Sequence, residues 1–454
     1  MSIASFFKRA ESSGSKRPRE EDDAAPAAPK PHVRTLAAWN ANSLIQRIQC
    51  NRLDLDRFLR EYSPDVVFIS EVRSPALGPA GCKKGDGQRR QQDKLSRASH
   101  SLAREADAIA RFVREHGYRA YWSLAEYKYA GTGLLVKAAC KQPHALRHSL
   151  DPDAAAATHQ TEGRVILASF ERFDLLGTYT PNNGGSEDAH ARRRGWDEAC
   201  AALLQRRGGA AAARPLVWPG RPRWGIRTRV QTWGSGFRCV TRRTRPYSAA
   251  LALTLVSPHR RLGDLNVAAE WGDVGPDPGW FRDKNGQGAA HADDRGQPGF
   301  TPNEQARFRS LLAAGGLVDA YRTLHPVANW ATDVTWRGCA GKDGPPAAGR
   351  YYAKGMRIDY VLVDRRLAGS VVRAEVLGGG AERRGFLGSD HCPLLVELAA
   401  AEEEKEGDRS RAAEAGDARA ASATGSAPHD ARPLADGVGL ALGAGARLPV
   451  GSSS

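Results

Sequence analysis

Apolar residues between positions 33 and 398 alternate between the spacing of strands and the spacing of helices. Apolar residues three or four positions apart predict helices near 55–62 and 102–112. In TPNEQARFRSLL, Thr301, Pro302 and Glu304 stand in the order of a capping box, which predicts a helix start. Short apolar runs predict strands at 33–39, 65–70, 133–137, 164–170, 173–179, 356–363 and 392–398. Strands mixed with helices are typical of a layered α/β domain.

Two segments, 1–31 and 399–454, are too poor in large apolar residues to form a core and are predicted to be disordered tails. Between them we expect one globular domain at 32–398. No apolar run reaches the length of a membrane span, and the N-terminus lacks an apolar signal core, so we expect no membrane association. The seven cysteines never occur as Cys-x-x-Cys, which favours a reducing compartment and argues against a zinc cluster.

The net charge of +15 is unevenly distributed along the chain. Residues 219–262 hold ten arginines and neither lysine nor acidic residues, so the rest of the chain carries only +5. The overall charge is therefore weak support for a nucleic-acid partner.

Polar side chains follow or interrupt most of the predicted strands. In GDLN the aspartate and the asparagine lie two residues apart, hence on one face of an extended chain. Each position alone is also typical of a turn or of a satisfied buried polar group, but their number favours one shared pocket. The positions are Asn40, Asn42, Glu71, Tyr179, Asn182, Asp264, Asn266, Asp359, Asp390 and His391.

The residue types of this pocket indicate a chemistry. Carboxylates without cysteine partners suit a hard cation such as Mg²⁺. A histidine beside an aspartate can donate a hydrogen bond to an anionic oxygen, and amide and phenol groups can orient phosphate oxygens. A bound cation neutralises charge on a phosphoryl group and lowers the pKa of bound water. The pocket therefore predicts hydrolysis of a phosphodiester.

Ten short motifs support a resemblance to a known family. They are AWNANSL, ISEVR, YAGTGLL, EGRVI, YTPNNG, GWDEA, GDLNVA, GFTPNEQARF, GMRIDYVLV and GSDHCPL. Their order and spacing over 33–398 resemble those of exonuclease III-type apurinic/apyrimidinic endonucleases, apart from the segment 219–262. GDLN and SDH are shared by the wider endonuclease/exonuclease/phosphatase superfamily, whereas FTPNE, YTPN and RIDYVL are more specific to the abasic-site enzymes.

The resemblance implies a DNase I-like fold, a four-layer α/β sandwich of two mixed β-sheets flanked by helices, with the site at one end of the sheets. It implies a monomeric enzyme of base excision repair that cuts double-stranded DNA 5′ to an abasic site and leaves a 3′-hydroxyl. It also implies 3′–5′ exonuclease or 3′-phosphodiesterase activity on blocked 3′ ends. Mg²⁺ is the implied cofactor, and Mn²⁺ is expected to substitute for it.

By motif match, the resemblance implies that Glu71 ligates the metal, although Ser70 stands before it where the family usually has Gln. Asp264 would activate or orient the attacking water, and Asn266 would help to hold it. The implied metal cluster consists of Glu71, Asn42, Asp390, Asn40, Asp264 and Asn266.

The remaining implied catalytic groups act on the phosphate. Tyr179 and Asn182 would contact the scissile phosphate. His391, oriented by Asp359, would stabilise the pentacovalent transition state. The family pattern leaves open which group is the general base.

Four side chains are implied to contact DNA. Trp336 matches an aromatic wall for the extrahelical sugar, and Tyr129 matches a DNA-contacting tyrosine. Met356 replaces a position that is often Trp, while Ile358 keeps an apolar side of the same pocket. Ordinary core packing is the alternative for Trp336 and Met356. Gly185 lies where some relatives carry an intercalating Arg, so that contact is missing.

The segment 219–262 separates RPLVW (214–218) from Gly263, which the family pattern joins directly. Long insertions belong in surface loops, and opening a buried strand would leave backbone groups without partners. We therefore hypothesise that this segment is a translated, unspliced intron. The alternative is a real basic loop that holds DNA.

The N-terminal tail carries two weak motifs. Ile3, Phe6 and Phe7 have the spacing of a sliding-clamp-binding peptide, although the usual Gln would fall before Met1. KRPR at 16–19 resembles a basic nuclear signal. Together they predict a nuclear protein. A chance apolar cluster and a solvated charge run are the alternatives.

Two other functions fit part of the sequence. One is a superfamily relative with another substrate, such as a general DNase or an enzyme that cleans 3′ ends. The other is a catalytically inactive DNA-binding module whose site the segment 219–262 has destroyed. The presence of all the candidate catalytic residues argues against the second function.

Overall fold

A computed structural model describes residues 30–78, 91–151, 161–213, 259–338, 354–378 and 383–399. Most of the two predicted tails, with Ile3, Phe6 and Phe7, lies outside this part of the chain, as do residues 219–258. In the described part, no helix combines the length and the apolar character that a membrane span needs.

The strands of the described part are numbered in chain order. They are β1 (Thr35–Asn40), β2 (Val66–Ser70), β3 (Ala76–Leu77), β4 (Gln91–Leu95), β5 (Tyr118–Ser123), β6 (Thr132–Lys137), β7 (Ala145–Arg147), β8 (Val165–Ser169), β9 (Asp174–Thr178), β10 (His259–Asp264), β11 (Val274–Gly275), β12 (Leu317–Asp319), β13 (Trp336–Arg337), β14 (Gly355–Met356), β15 (Asp359–Asp364), β16 (Val371–Val376) and β17 (Leu394–Leu398).

The helices of the described part include the one predicted from its capping box. In that helix the Thr301 hydroxyl accepts from the Glu304 N–H, and the Glu304 carboxylate accepts from the Thr301 N–H, which confirms the prediction. The α-helices are α1 (Leu44–Cys50), α2 (Arg52–Glu61), α3 (His100–Glu115), α4 (Glu187–Ala213), α5 (Pro278–Asp283), α6 (Pro302–Gly315), α7 (Ala320–Leu324) and α8 (Trp330–Asp333). Short 3-10 helices span Trp271–Asp273, Ala292–Asp294, Arg365–Ser370 and Arg383–Phe386.

Two six-stranded sheets form the centre of the fold. The first has the order β16-β17-β1-β2-β6-β5, and the second has the order β12-β15-β10-β9-β8-β7. Each sheet is mixed, because β1 pairs in parallel with β2, and β9 pairs in parallel with β10, among antiparallel neighbours. Smaller sheets are formed by β11-β14-β13 and by β3-β4.

The buried apolar residues fall into layers that follow the alternation of side chains along each strand. One face of the first sheet packs on one face of the second, as Leu36 and Phe68 cluster with Leu175 and Val361. The other face of the first sheet packs on α1, α2 and α3. The other face of the second sheet packs on α4 and α6. The order helix, sheet, sheet, helix confirms the predicted four-layer α/β sandwich.

One predicted strand is wrong in its extent, and a central strand of the second sheet was not predicted. The run 356–363 is interrupted at Arg357 and Ile358, so Asp359 begins β15 instead of lying inside a strand. The strand that ends at Asp264 is β10, whose first four residues belong to the segment 219–262. This strand pairs with β9 and β15, so the end of that segment occupies the centre of the second sheet.

Candidate active site

Polar residues at the ends of the two large sheets meet at one edge of the sandwich. In the first sheet, Asn40 ends β1 opposite Ser70 of β2, and Glu71 follows directly. In the second sheet, Asp264 ends β10 opposite Asp359, the first residue of the antiparallel strand β15. The strand order therefore places these carboxylates at the same end of the molecule, as the sequence predicts.

The Asn40 side chain joins the two sheets. It is fully buried, and its Nδ2 donates to Glu71 Oε1 and to Asp264 Oδ2, each at 3.0 Å. Its Oδ1 accepts from the Asn42 backbone N–H at 3.0 Å. Asn42 and Glu71 have φ angles of 45° and 52°, a left-handed conformation that non-glycine residues adopt infrequently. Two carboxylates from different sheets thus share one amide donor.

Tyr179 holds the Glu71 carboxylate from the second sheet. Its hydroxyl donates to Glu71 Oε1 at 2.8 Å. Burial and then the Glu71 charge raise the pKa of Tyr179 well above its usual value, so the phenol remains a neutral donor. The other Glu71 oxygen accepts from Arg73 Nε at 2.7 Å. The Arg164 guanidinium lies 4.5 Å from the centre of the Tyr179 ring and donates to the Tyr129 hydroxyl at 2.9 Å.

Asp390 lies half-buried at the rim of the same site. Its Oδ1 accepts from Asn42 Nδ2 at 2.8 Å, and its Oδ2 accepts from Trp336 Nε1 at 3.2 Å. The preceding Ser389 hydroxyl donates to the Asn40 carbonyl at 2.7 Å. The loop before β17 is therefore tied to the end of β1, and Asp390 joins the network that contains Glu71.

His391 and Asp359 form a buried pair. His391 Nδ1 lies 2.8 Å from Asp359 Oδ2, and Nε2 lies 4.0 Å from Asp264 Oδ2. Burial alone would lower the pKa of His391, but Asp359 and Asp264 outweigh it and raise this pKa to about 10. Burial and then Asp359 raise the pKa of Asp264 to about 7. At neutral pH, His391 is therefore a cationic donor, and Asp264 binds a proton more readily than an exposed aspartate does.

Asn266 and Asn182 complete the site from the second sheet. The Asn266 N–H donates to Asp264 Oδ1 at 2.9 Å, and Asn266 Nδ2 donates to the Thr180 carbonyl at 2.8 Å. Asn182 Nδ2 reaches Asn266 Oδ1 at 3.4 Å, while the residue as a whole remains exposed. Asn182 is thus placed to meet a ligand from solvent.

The donor set fits a hard divalent cation. Ligand atoms of Asp264, Asp359 and His391 all lie within 4.8 Å of one another. A protonated imidazole cannot bind a metal, so the carboxylate oxygens are the suitable donors in this cluster. Asp359 Oδ1 is buried and has no hydrogen-bond partner within the described residues. Glu71, linked to Asp264 through Asn40, and Asp390, linked to Asn42, add two half-buried carboxylates to the same network.

The four expected DNA-contacting residues divide into two groups. Trp336 and Tyr129 are half-buried and keep part of their rings accessible. Met356 and Ile358 are only 2% and 6% exposed and pack in one apolar cluster with Trp336 at its edge. Met356 and Ile358 therefore support Trp336 and expose almost no surface in this structure, and their expected contact with DNA stays a prediction. Gly185 is exposed, and a Cβ added there would meet open space.

Two site residues were missed by the reasoning from sequence. Arg73 holds Glu71, and Arg164 links Tyr129 to Tyr179. Both lie inside the motifs ISEVR and EGRVI, which is the only signal that could have singled them out. Arg73 contacts a residue only two positions away, whereas the partners of Arg164 lie far from it in the sequence, so no spacing predicts its contacts.

The part of the chain that holds this site matches a known protein family. A sequence profile described as Endonuclease/Exonuclease/phosphatase family matches residues 37–391, from β1 to His391. The chain belongs to this family. Membership confirms the family that the motifs indicated, and every candidate site residue lies within the matched range.

Related sequences and structures agree with the family. A relative from Arabidopsis thaliana, named DNA-(apurinic or apyrimidinic site) endonuclease, is 36% identical over 375 residues, which cover 81% of this chain and 85% of the relative. A relative of the same name from Plasmodium falciparum (isolate 3D7) is 29% identical and matches 84% of this chain and 58% of its own length. The crystal structure of AP endonuclease LMAP from Leishmania major shares the fold, with a TM-score of 0.52, 19% identity, and coverage of 81% of this chain and 88% of that one.

Proposed function

We propose that the protein is a DNA repair endonuclease that hydrolyses the phosphodiester 5′ to an abasic site and leaves a 3′-hydroxyl. The observation that carries the proposal is the pair of Glu71 and Asp264 carboxylates, linked through Asn40, beside the Asp359–His391 pair. The name and 36% identity of the Arabidopsis relative support abasic DNA as the substrate.

The proposed cofactor is Mg²⁺, held by Glu71 and Asp390 with Asp264 beside them. When bound, it would neutralise charge on the phosphate and lower the pKa of bound water.

The residues of the chain would supply the rest of the catalysis. His391 is a cationic donor at neutral pH and would donate to the phosphate oxygen on which charge develops. Asp264, whose pKa is raised to about 7, is suited to accept the proton of the attacking water. The Tyr179 hydroxyl and the exposed Asn182 amide would hold the non-bridging oxygens in line with that attack.

Incision of a duplex with one tetrahydrofuran abasic analogue tests the proposal. We expect Mg²⁺-dependent cutting 5′ to the analogue, no cutting in EDTA, and recovery with Mn²⁺. The isosteric variant Asp264→Asn serves as the matched inactive control, because it keeps the size of the side chain and removes its charge. A folded wild-type chain that does not cut, or cuts in EDTA as well as in Mg²⁺, would refute the proposal.

A second candidate function is the removal of blocking groups from 3′ ends. It is favoured by the missing intercalating side chain at Gly185 and by the burial of Met356 and Ile358, since these leave less surface to hold an extrahelical sugar. A duplex with a nick and a 3′-phosphoglycolate distinguishes the two functions. A higher kcat/KM on this end than on the abasic duplex would favour end processing.

We also propose that the protein acts as a monomer in the nucleus and binds a sliding clamp through Ile3, Phe6 and Phe7. The N-terminal sequence patterns support the clamp contact and the nuclear location, and the family resemblance supports the monomer. Light scattering of the purified chain tests the monomer. Pull-down of a purified clamp by wild type and by Phe6→Ala tests the peptide, and equal capture by both chains would contradict it.

A further inference from the structure

Arg193 is a buried cation outside the set of groups that would touch DNA. It lies on α4 and is 2% exposed, among the largest fully buried side chains of the described part. The sequence places it in the middle of three consecutive arginines, but Arg192 and Arg194 keep more than a third of their side chains exposed. Burial of one guanidinium among three suggests a specific role for it.

The Arg193 guanidinium donates to backbone carbonyls of the two loops that carry Asn182 and Asn266. Nη2 donates to the Leu265 carbonyl at 3.1 Å. Nη1 donates to the Asn266 carbonyl at 2.9 Å and to the Pro181 carbonyl at 3.2 Å. One side chain therefore connects the loop after β9 to the loop after β10.

Two carboxylates neutralise the buried charge. Arg193 Nε lies 3.1 Å from both oxygens of Asp197, one turn further along α4. Arg193 Nη1 lies 3.4 Å from Glu304 Oε1, which also accepts from Asn183 Nδ2 at 2.8 Å. The other Glu304 oxygen accepts from the Gly299 N–H at 2.8 Å. The start of α6 is thus part of the same hydrogen-bonded assembly.

The backbone at Asn266 needs such support. Its φ of 46° is left-handed, a conformation that costs a residue with a side chain of the order of 1 kcal/mol. The carbonyls of Leu265 and Asn266 belong to the peptide groups on either side of this residue. Donors from Arg193 to both carbonyls fix both peptide planes, and so fix the direction in which the Asn266 side chain leaves the backbone.

We propose that Arg193 is a positioning residue that holds Asn266 and the loop of Asn182 in the geometry needed for phosphodiester cleavage. This inference rests on the proposed function. Lysine cannot replace the arginine, because its three donors share one nitrogen and cannot reach Asp197, Glu304 and three carbonyls at once. We expect Arg193→Lys to misplace Asn266 and the loop of Asn182 and to leave the affinity for DNA unchanged.

The test compares Arg193→Lys with Arg322→Lys in the full-length chain. Arg322 on α7 is a matched control, because it also pairs with two carboxylates, Asp333 at 2.6 Å and Asp273 at 2.5 Å, and has no bond to either loop. We expect kcat on the tetrahydrofuran duplex to fall by about tenfold to a hundredfold in Arg193→Lys, with KM near the wild-type value. Arg322→Lys should lower Tm and keep the wild-type kcat.

Two further measurements distinguish an incorrect role for Arg193 from an incorrect proposed function. Amide hydrogen exchange of peptides covering 179–184 and 264–268 should accelerate in Arg193→Lys and not in Arg322→Lys, whether or not the chain cuts abasic DNA. Asp197→Asn, which keeps the three carbonyl bonds, should lower Tm and leave kcat unchanged. Equal exchange in both lysine variants, or equal loss of kcat in Asp197→Asn and Arg193→Lys, would overturn the inference. A wild-type chain that does not cut refutes only the proposed function.

Discussion

Replacement of Arg261 by valine is expected to stabilise the full-length chain. Arg261 lies in β10 at the centre of the second sheet and is 2% exposed. Its surroundings are mostly apolar, because the cavity that it lines is formed largely by Leu167, Leu176, Leu203, Leu204 and Leu317, with Asp174 and Arg260 as the other charged lining residues. A guanidinium in such a place loses its hydration and needs partners to replace it.

The partners of Arg261 are weak. Nε donates to the Thr178 hydroxyl at 3.3 Å, and Nη2 lies 3.6 Å from Cys200 Sγ. Nη1 has no hydrogen-bond partner within the described residues. An unsatisfied buried donor costs about 1–3 kcal/mol. Valine carries as many aliphatic carbons as the arginine stem and suits a strand, so the net gain is about 1–2 kcal/mol once the space left by the guanidinium is counted.

The same reasoning extends to the arginine-rich segment. Removal of residues 218–261 would join Val217 to Leu262, so Leu216 and Val217 would take the strand positions of Arg260 and Arg261. The deleted segment begins and ends one residue earlier than the hypothesised 219–262. The shift keeps Leu262, which is 0% exposed in the core between the sheets. Shortening the connection between α4 and β10 also lowers the entropic cost of closing it. The shortened chain should therefore be more stable than Arg261→Val.

Equilibrium urea unfolding, followed by tryptophan fluorescence, measures the free energy of unfolding of the three chains. The expected order is wild type, then Arg261→Val, then the shortened chain. If Arg261→Val is less stable than wild type, the arginine has partners that outweigh its desolvation, and the reasoning is refuted. Transcript sequencing across codons 210–270 tests the intron hypothesis independently, and reads that contain the whole segment would reject it.

Four further predictions concern the site and one helix. Glu71→Gln should raise the Mg²⁺ concentration needed for half-maximal incision by about tenfold or more, because a charged ligand is lost; an unchanged Mg²⁺ titration would exclude this carboxylate from the metal site. Tyr179→Phe should lower kcat by about tenfold or more with little change in KM, since only a hydroxyl is removed; a rise in KM alone would indicate a binding role. Asp359→Asn removes the carboxylate that does most to raise the pKa of His391 and leaves only Asp264 and Asp390 to oppose burial, so this pKa should fall from about 10; NMR should show the imidazole neutral at a lower pH than in wild type. Thr301→Ala should reduce the free energy of unfolding by about 1 kcal/mol through loss of the capping box, as measured in urea; equal stability would show that Glu304 alone caps α6.

The parts of the structure that were predictable are those in which a local pattern decides the outcome. Thr301 and Glu304 predict the start of α6, because capping is a contact between neighbours in sequence. Asn40 and Asp264 were expected to meet, because polar residues at strand ends indicate one edge of the sheets. The break before Asp359 was missed, because Arg357 and Ile358 lie in an apolar run that reads as one continuous strand. Bonds to distant backbone carbonyls, such as those of the buried arginines, leave no pattern in the sequence.

The contact between Asn40 and Asp264 depends on how closely the two sheets approach. Phe68 of β2 fills the space beside Gly177 of β9 and Gly263 of β10. A Cβ at Gly177 would lie 2.2 Å from the Phe68 ring, and a Cβ at Gly263 would lie 2.8 Å from it. The φ of 131° at Gly263 also excludes an ordinary side chain there. The two glycines therefore let the sheets close on Phe68, which brings Asn40 of one sheet within 3.0 Å of Asp264 of the other. In this fold the candidate site is a consequence of sheet-on-sheet packing, and neither sheet contains it alone.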